Sequence, residues 1–214
     1  VSEEQNETAV VVPPEPKTIT VLILGTDRNV GQDKLGEQLA AQLIAGGIKV
    51  QHTPTDDYAR IRAGELPSLI ESHLSKKHAI NVLSYNGALS HPETGPVALA
   101  LLYTVKPSLV IMCHAGFRGT QDGVSVQGVG LASEIANTLL FARRFNPDAK
   151  LAGINLHGEG QTEADLKTTI DETYPLGQSF GVEVFSFDSG SDDSELPEEF
   201  VESIDVLARK AKSR

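Results

Sequence analysis

"VLILGTDRNVGQDKLGEQLAAQL", residues 21–43, is the stretch whose reading decides the fold. Val21–Leu24 form an uninterrupted apolar run, suited to a strand buried on both faces. Gly25 and Gly31 bracket a turn, after which Leu35, Leu39 and Leu43 recur every fourth residue, the spacing of one helix face. A strand that turns through glycines into a helix gathers unpaired backbone amides at the positive end of the helix dipole, a seat for phosphate. The next two residues depart from that chemistry. Gln32 can donate a hydrogen bond but carries no charge, and Asp33 puts a negative charge where a metal-binding hydroxyl is expected. Lys34 comes one residue later and points about 100° away around the helix. Magnesium-dependent nucleotide hydrolysis is therefore not expected. The bland reading of Asp33 is a first-turn acid that stabilises the helix through its dipole.

The same alternation continues outward from this stretch. Short apolar runs at Ile19–Leu24, Lys49–His52, Ile80–Ser84, Leu109–Cys113, Leu151–Asn155 and Val182–Phe185 read as strands. Helical patterns follow the first run and recur near 66–75, 96–103, 128–145, 162–174 and 196–211. Strands alternating with helices require crossover connections, so the expected fold is a doubly wound α/β domain, its sheet mostly parallel and its helices on both faces. Residues 1–17, acidic and then proline-punctuated, read as a tail or linker, with a short edge strand in "AVVVPP" as the alternative. Residues 18–214 read as a single domain. In such sheets ligands sit outside the carboxyl ends of the strands.

Composition narrows the function classes. A net charge of −11 argues against a general nucleic-acid binder, which needs a basic face. A small anionic ligand remains compatible, because backbone amides in one loop can hold an anion inside an acidic protein. Nothing approaches the run of about 20 apolar residues that a membrane span needs, so no membrane contact is expected. Cys113 is the single cysteine, which leaves no internal disulfide and fits a reducing, cytoplasmic setting.

The strand at 80–84 ends Ser84-Tyr85-Asn86, without an acid that would hold magnesium through water. Beyond it, "ALSHP" (88–92), "VALALLYTVKPSLVIMCH" (97–114), Arg118 and "NPDAKLAGINL" (146–156) join "GTDRNVG" (25–31) in a recognisable order. Together they resemble the C-terminal, P-loop-type domain of a family of unknown function whose members include bacterial D-glutamate N-acetyltransferases. The glycine loop is spaced as in dethiobiotin-synthetase-like proteins. The resemblance runs over residues 19–187. It implies a P-loop NTPase-like fold that binds acetyl-CoA or a nucleotide and transfers an acyl group to an amine. On that reading Gly25, Thr26, Asp27, Asn29, Val30, Gly31 and Gln32 contact the cofactor, while Asn86, Ser90, His91 and Arg118 contact substrate. His114 is the catalytic base, and no metal is expected. Family members read "VGK", "EGQGSLSHP" and "CHE"; this chain reads "VGQ", "SYNGALSHP" and "CHA", so that Ser84 and Ala115 stand in place of acids and the Walker A motif is degenerate. The family's separate N-terminal domain is expected to be missing from this chain. A missing partner domain or a homo-oligomer is thus the expected protein partner, beside the small anionic ligand.

The residues themselves allow plainer roles. His91, His114 and His157 each follow a strand and could converge as a zinc site or each cap a loop. Cys113, at a buried strand end, reads as a small core hydrophobe rather than a nucleophile. Ser90 and His91 are adjacent in extended chain and point opposite ways, which argues against a dyad. Asp27 either binds a substrate amine or caps its turn, and Arg118 is either an anion anchor or a surface residue. Two functions follow: an acyl-transfer domain, or a non-catalytic P-loop module kept for assembly or regulation.

Overall fold

A computed structural model describes residues 18–55, 74, 78–116, 120–158, 160–187 and 195–212. The strands are β1 (Ile19–Gly25), β2 (Val50–Pro54), β3 (Ile80–Ser84), β4 (Leu109–His114), β5 (Lys150–Leu156) and β6 (Glu183–Ser186). They form one sheet in the order β2-β3-β1-β4-β5-β6, and every neighbouring pair is parallel. The helices are α1 (Gln32–Ala45), α2 (Gly95–Val105), α3 (Leu131–Phe145), α4 (Glu163–Phe180) and α5 (Glu198–Lys212). The doubly wound α/β fold expected from the alternation is the fold of the chain.

The two-residue period of β1 divides the core between the sheet's faces. Ile19, Val21 and Ile23 pack with Leu35, Leu39 and Leu43 of α1 and with Phe200 and Ile204 of α5. Leu22 and Leu24 face the other way, toward Leu101 of α2 and Ile135 and Leu139 of α3. This is why the helical leucines had to recur at a spacing of four while the strand ran apolar without a break. Among the described residues no helix is long and apolar enough to cross a membrane.

Two helix boundaries differ from the sequence pattern. Helix α3 starts at Leu131 rather than 128, because the chain before it turns back in a hairpin-like segment bridged at Thr120 and Gln127. Helix α4 runs on through Pro175 to Phe180. Leu176 packs on the core, and Gly177 lies so close to β6 that an added Cβ would stand 2.4 Å from Val184 Cγ2. That packing holds the helix together despite the hydrogen bond a proline cannot make. The tail at 1–17, Arg118 and, apart from Leu74, the helix expected near 66–75 lie outside the described residues.

Candidate functional site

The glycine loop leaves β1 at Gly25 and enters α1 at Gly31, whose φ of 85° suits glycine. Three of its amides are engaged by side-chain oxygens of the protein itself. Arg28 N donates to Asp27 Oδ1 (2.7 Å), Asn29 N to Asn86 Oδ1 and Val30 N to Gln32 Oε1 (3.0 Å). Gln32 Nε2 donates in turn to Asp27 O (2.8 Å), so this buried carboxamide bridges the loop from within. Gly25 makes the room: a Cβ there would lie 2.2 Å from Gln32 Nε2 and 2.4 Å from Asp27 O. A lysine would reach through such a loop toward a ligand, whereas Gln32 folds back into it.

Asp33 and Ser84 meet across the same end of the sheet. Ser84 Oγ donates to Asp33 Oδ1 (2.6 Å) and lies 3.1 Å from His52 Nε2. Acid and hydroxyl have thus exchanged places relative to the arrangement the sequence resemblance implies, and they bond to each other. Burial lowers the His52 pKa, against the opposing pull of Asp33 and Glu37. Ser84 is wholly buried and gives its proton to the carboxylate, so the trio is not wired as a nucleophile with its base.

The loops after β1 and β3 are joined to the 120–127 segment through Asp122. Its amide donates to both oxygens of Asp27 (3.0 and 2.9 Å), and its carboxylate accepts from Asn29 Nδ2 (2.7 Å). His91 Nε2 lies 3.0 Å from Asp122 O, while His91 Nδ1 accepts from Glu93 N (3.2 Å), which places the ring proton on Nε2. Glu134, in the first turn of α3, accepts from Leu89 N and Ser90 N with Oε1, and burial raises its pKa. Asp27, Asn86, Ser90 and His91 are therefore parts of the brace that holds these loops.

Beside that brace, at the carboxyl ends of β1 and β4, lies a cavity of about 190 Å³. Thr26, Asp27, His114, Ala115, Gln121 and Gly130 are among its lining residues. Thr26 Oγ1 and His114 Nδ1 are 2.8 Å apart. Burial lowers the His114 pKa to about 4, so the imidazole is neutral at pH 7. Cys113, next to it, faces the core, and burial pushes its thiol up to about 12. Among the described residues no group of three His, Cys, Asp or Glu side chains is placed to hold a metal. His157 instead packs against the loop, its Nδ1 3.1 Å from where a Gly31 Cβ would be. A larger hollow of about 540 Å³ opens at the starts of β5 and β6, among Lys150, Glu183 and Glu199. It lies at the amino end of the strands, away from every loop that converges here.

A family model described as the P-loop domain of a domain of unknown function, DUF1611, matches residues 59–187, more than half of the chain. The chain belongs to the DUF1611 family. The matched residues begin after β2, so the glycine loop of this DUF1611 domain precedes them. A D-glutamate N-acetyltransferase from Tritonibacter scottomollicae is 26% identical over 164 residues, 68% of this chain and 49% of the relative. One from a Pseudoalteromonas species is 23% identical over 158 residues, 73% of this chain and 45% of the relative. The chain thus spans about half the length of these curated relatives. The crystal structure of a DUF1611 family protein from Anabaena variabilis superposes with a TM-score of 0.67 at 16% identity, covering 92% of this chain and 58% of that one.

Sequence reading of this DUF1611 domain missed Gln121, Asp122 and Glu134. Gln121 and Asp122 come from the segment between β4 and α3 and Glu134 from the first turn of α3, where no motif marks them. Only the two glycines and the polar cluster of "GTQDG" hinted at a structured turn.

Proposed function

We propose that this domain binds an acyl donor and an amine at the carboxyl ends of β1 and β4 and supports N-acyl transfer, without hydrolysing magnesium-bound nucleotide. The observation that carries the reading is the Thr26–His114 pair, 2.8 Å apart, lining the cavity. With Nδ1–H donated to Thr26 Oγ1, the Nε2 lone pair of a neutral imidazole accepts a proton. A base this weak serves after attack, when the nitrogen of the tetrahedral adduct has become strongly acidic. The new bond joins amine nitrogen to acyl carbon and the carbon–sulfur bond of a thioester breaks. His114 relays the nitrogen's proton to the leaving thiolate.

The cavity is smaller than the roughly 300–1,000 Å³ of pockets that enclose drug-sized ligands. It suits the reacting ends, with the phosphates of a donor such as acetyl-CoA outside it. The names of the curated relatives support acyl transfer to an amino acid. The bridged glycine loop and the Asp33–Ser84 bond support the absence of nucleotide hydrolysis.

Thiol release from acetyl-CoA in the presence of D-glutamate tests the reading. Turnover is expected, and His114→Ala should lower kcat more than it raises KM. The occupied loop amides favour a second reading, a non-catalytic P-loop module. Absence of both turnover and calorimetric binding of acetyl-CoA, ATP or ADP would establish it instead.

A further inference from the structure

We propose that the outer face of α2 is the contact between two copies of this chain, packed antiparallel, helix against helix, about a two-fold axis. This is independent of the acyl-transfer reading. Helix α2 holds 11 residues and not one charged side chain. Its inner positions Val97, Ala98, Leu101, Leu102 and Val105 are buried in the core. Its outer positions are apolar as well: Leu99 is 37% exposed and Tyr103 62%. Thr104, beside Tyr103, turns its hydroxyl back to donate to Ala100 O (2.8 Å). A helix without a polar face belongs inside a protein or under a partner. The patch continues onto α3, where the Phe145 ring meets that of Tyr103 edge-on, with 5.2 Å between centroids. One turn earlier on each helix stand Leu99 and Phe141, the latter also 37% exposed.

The two ends of α2 point to a second copy as the occupant. Glu93 precedes the N-cap, Thr94, and Lys106 is the C-cap; both are exposed. Glu93 also holds Arg28 at 3.3 Å through Oε2, whereas Lys106 has no ion pair among the described residues. Glu93 and Lys106 are equidistant in sequence from the midpoint between Leu99 and Ala100. Antiparallel pairing about that midpoint brings Glu93 to the partner's Lys106 and Lys106 to the partner's Glu93, the reciprocity of a two-fold contact. The same operation sets Tyr103 against the partner's Pro96 and Leu99 against the partner's Ala100, each a bulky side chain over a compact one. The two helix dipoles then run in opposite directions, positive end to negative end. None of the 29 Asp and Glu residues lies within α2, so two chains of net charge −11 meet there without facing carboxylates.

Sedimentation velocity from about 1 to about 500 µM tests this, a range suited to a small, transient interface. A concentration-dependent shift from the 22.9 kDa monomer to a dimer is expected. Tyr103→Glu should weaken association at least about tenfold, as loss of a central aromatic anchor does. Lys106→Glu should weaken it too, and the double change Glu93→Lys, Lys106→Glu should restore it, because both pairs reverse sign together. Should Tyr103→Glu fail to fold, the charge exchange decides. A monomer throughout the range would overturn the proposal, and so would a dimer that Tyr103→Glu leaves intact. A dimer weakened by Lys106→Glu but not restored by the double change would overturn the antiparallel pairing.

Discussion

Two helices begin near the same cavity, and they begin differently. At α1 the incoming loop is filled: side-chain oxygens of Asp27, Asn86 and Gln32 each hold a backbone amide. At α3, as at α1, the N-cap is a glycine without a side-chain cap bond, but a Cβ on Gly130 would stand in open space, whereas His157 packs against Gly31. Both ends carry the same dipole and the same unpaired amides by construction. What distinguishes them is what the protein packs into and against the loop before the helix. A glycine-rich turn before a helix is thus a potential anion seat, and the neighbouring side chains decide whether the seat is taken.

The largest effect that would sharpen this contrast is at Gly25. Gly25→Ala drives a methyl against the Asp27 carbonyl as well as the Gln32 side chain, and backbone cannot swing aside. A loss of about 3 kcal/mol is expected from such overpacking, measured by urea unfolding. A near-neutral result would mean that the loop is looser than described, and the comparison would break.

Gln32→Ala should cost about 2 kcal/mol, because it strands Val30 N and Asp27 O, both buried inside the loop. It should also permit calorimetrically detectable binding of pyrophosphate, with none expected for the parent protein. If pyrophosphate binds the parent and the variant weakens it, Gln32 is a ligand contact and not a plug.

Acid sensitivity probes the cavity side. His114 is depressed to about 4 by burial, so between its ordinary value near 6.5 and about 4 the unfolded chain binds a proton that the folded one refuses. Stability is full above that window and falls as pH drops through it, by at most about 1.4 kcal/mol per unit. His52, also lowered by burial, acts in the same direction. Glu134, raised by burial, acts in the opposite one, with stability falling as pH rises through its folded value. His114→Gln should flatten the acid slope of a denaturation series; an unchanged slope would show that the imidazole is not desolvated.

The smallest effect belongs to α3. Gly130 has φ −59° and ψ 146°, which suits a capping residue. Gly130→Ser should leave stability unchanged or raise it by up to about 0.5 kcal/mol, since glycine is only slightly poorer than serine as a cap. The serine hydroxyl would accept from a first-turn amide that has no side-chain cap in the parent. Urea unfolding checks it, and a clear loss of stability would show that this helix start cannot accept a capping side chain.

The fold was legible in the chain because it follows from local periodicity. The apolar run of β1, the spacing of Leu35, Leu39 and Leu43, and the repeated alternation of strand and helix permit one economical arrangement, a parallel sheet covered on both faces. The absence of a lysine at position 32 and a hydroxyl at 33 was equally plain. The extension of α4 past Pro175 was not, since it depends on Gly177 meeting β6.

The local chemistry of the glycine loop was set by sequence alone: which groups it has, and which charge it lacks. Whether that loop is open was decided only in three dimensions. Asn86 comes from another strand's end and Gln32 folds back on its own turn, and neither direction is written in a spacing. The meeting of Asp27, Asn29 and His91 at Asp122 likewise joins residues far apart in the chain. Hydrogen-bond partners over such separations are chosen by packing, because each buried donor must find whatever acceptor the folded neighbours bring within reach.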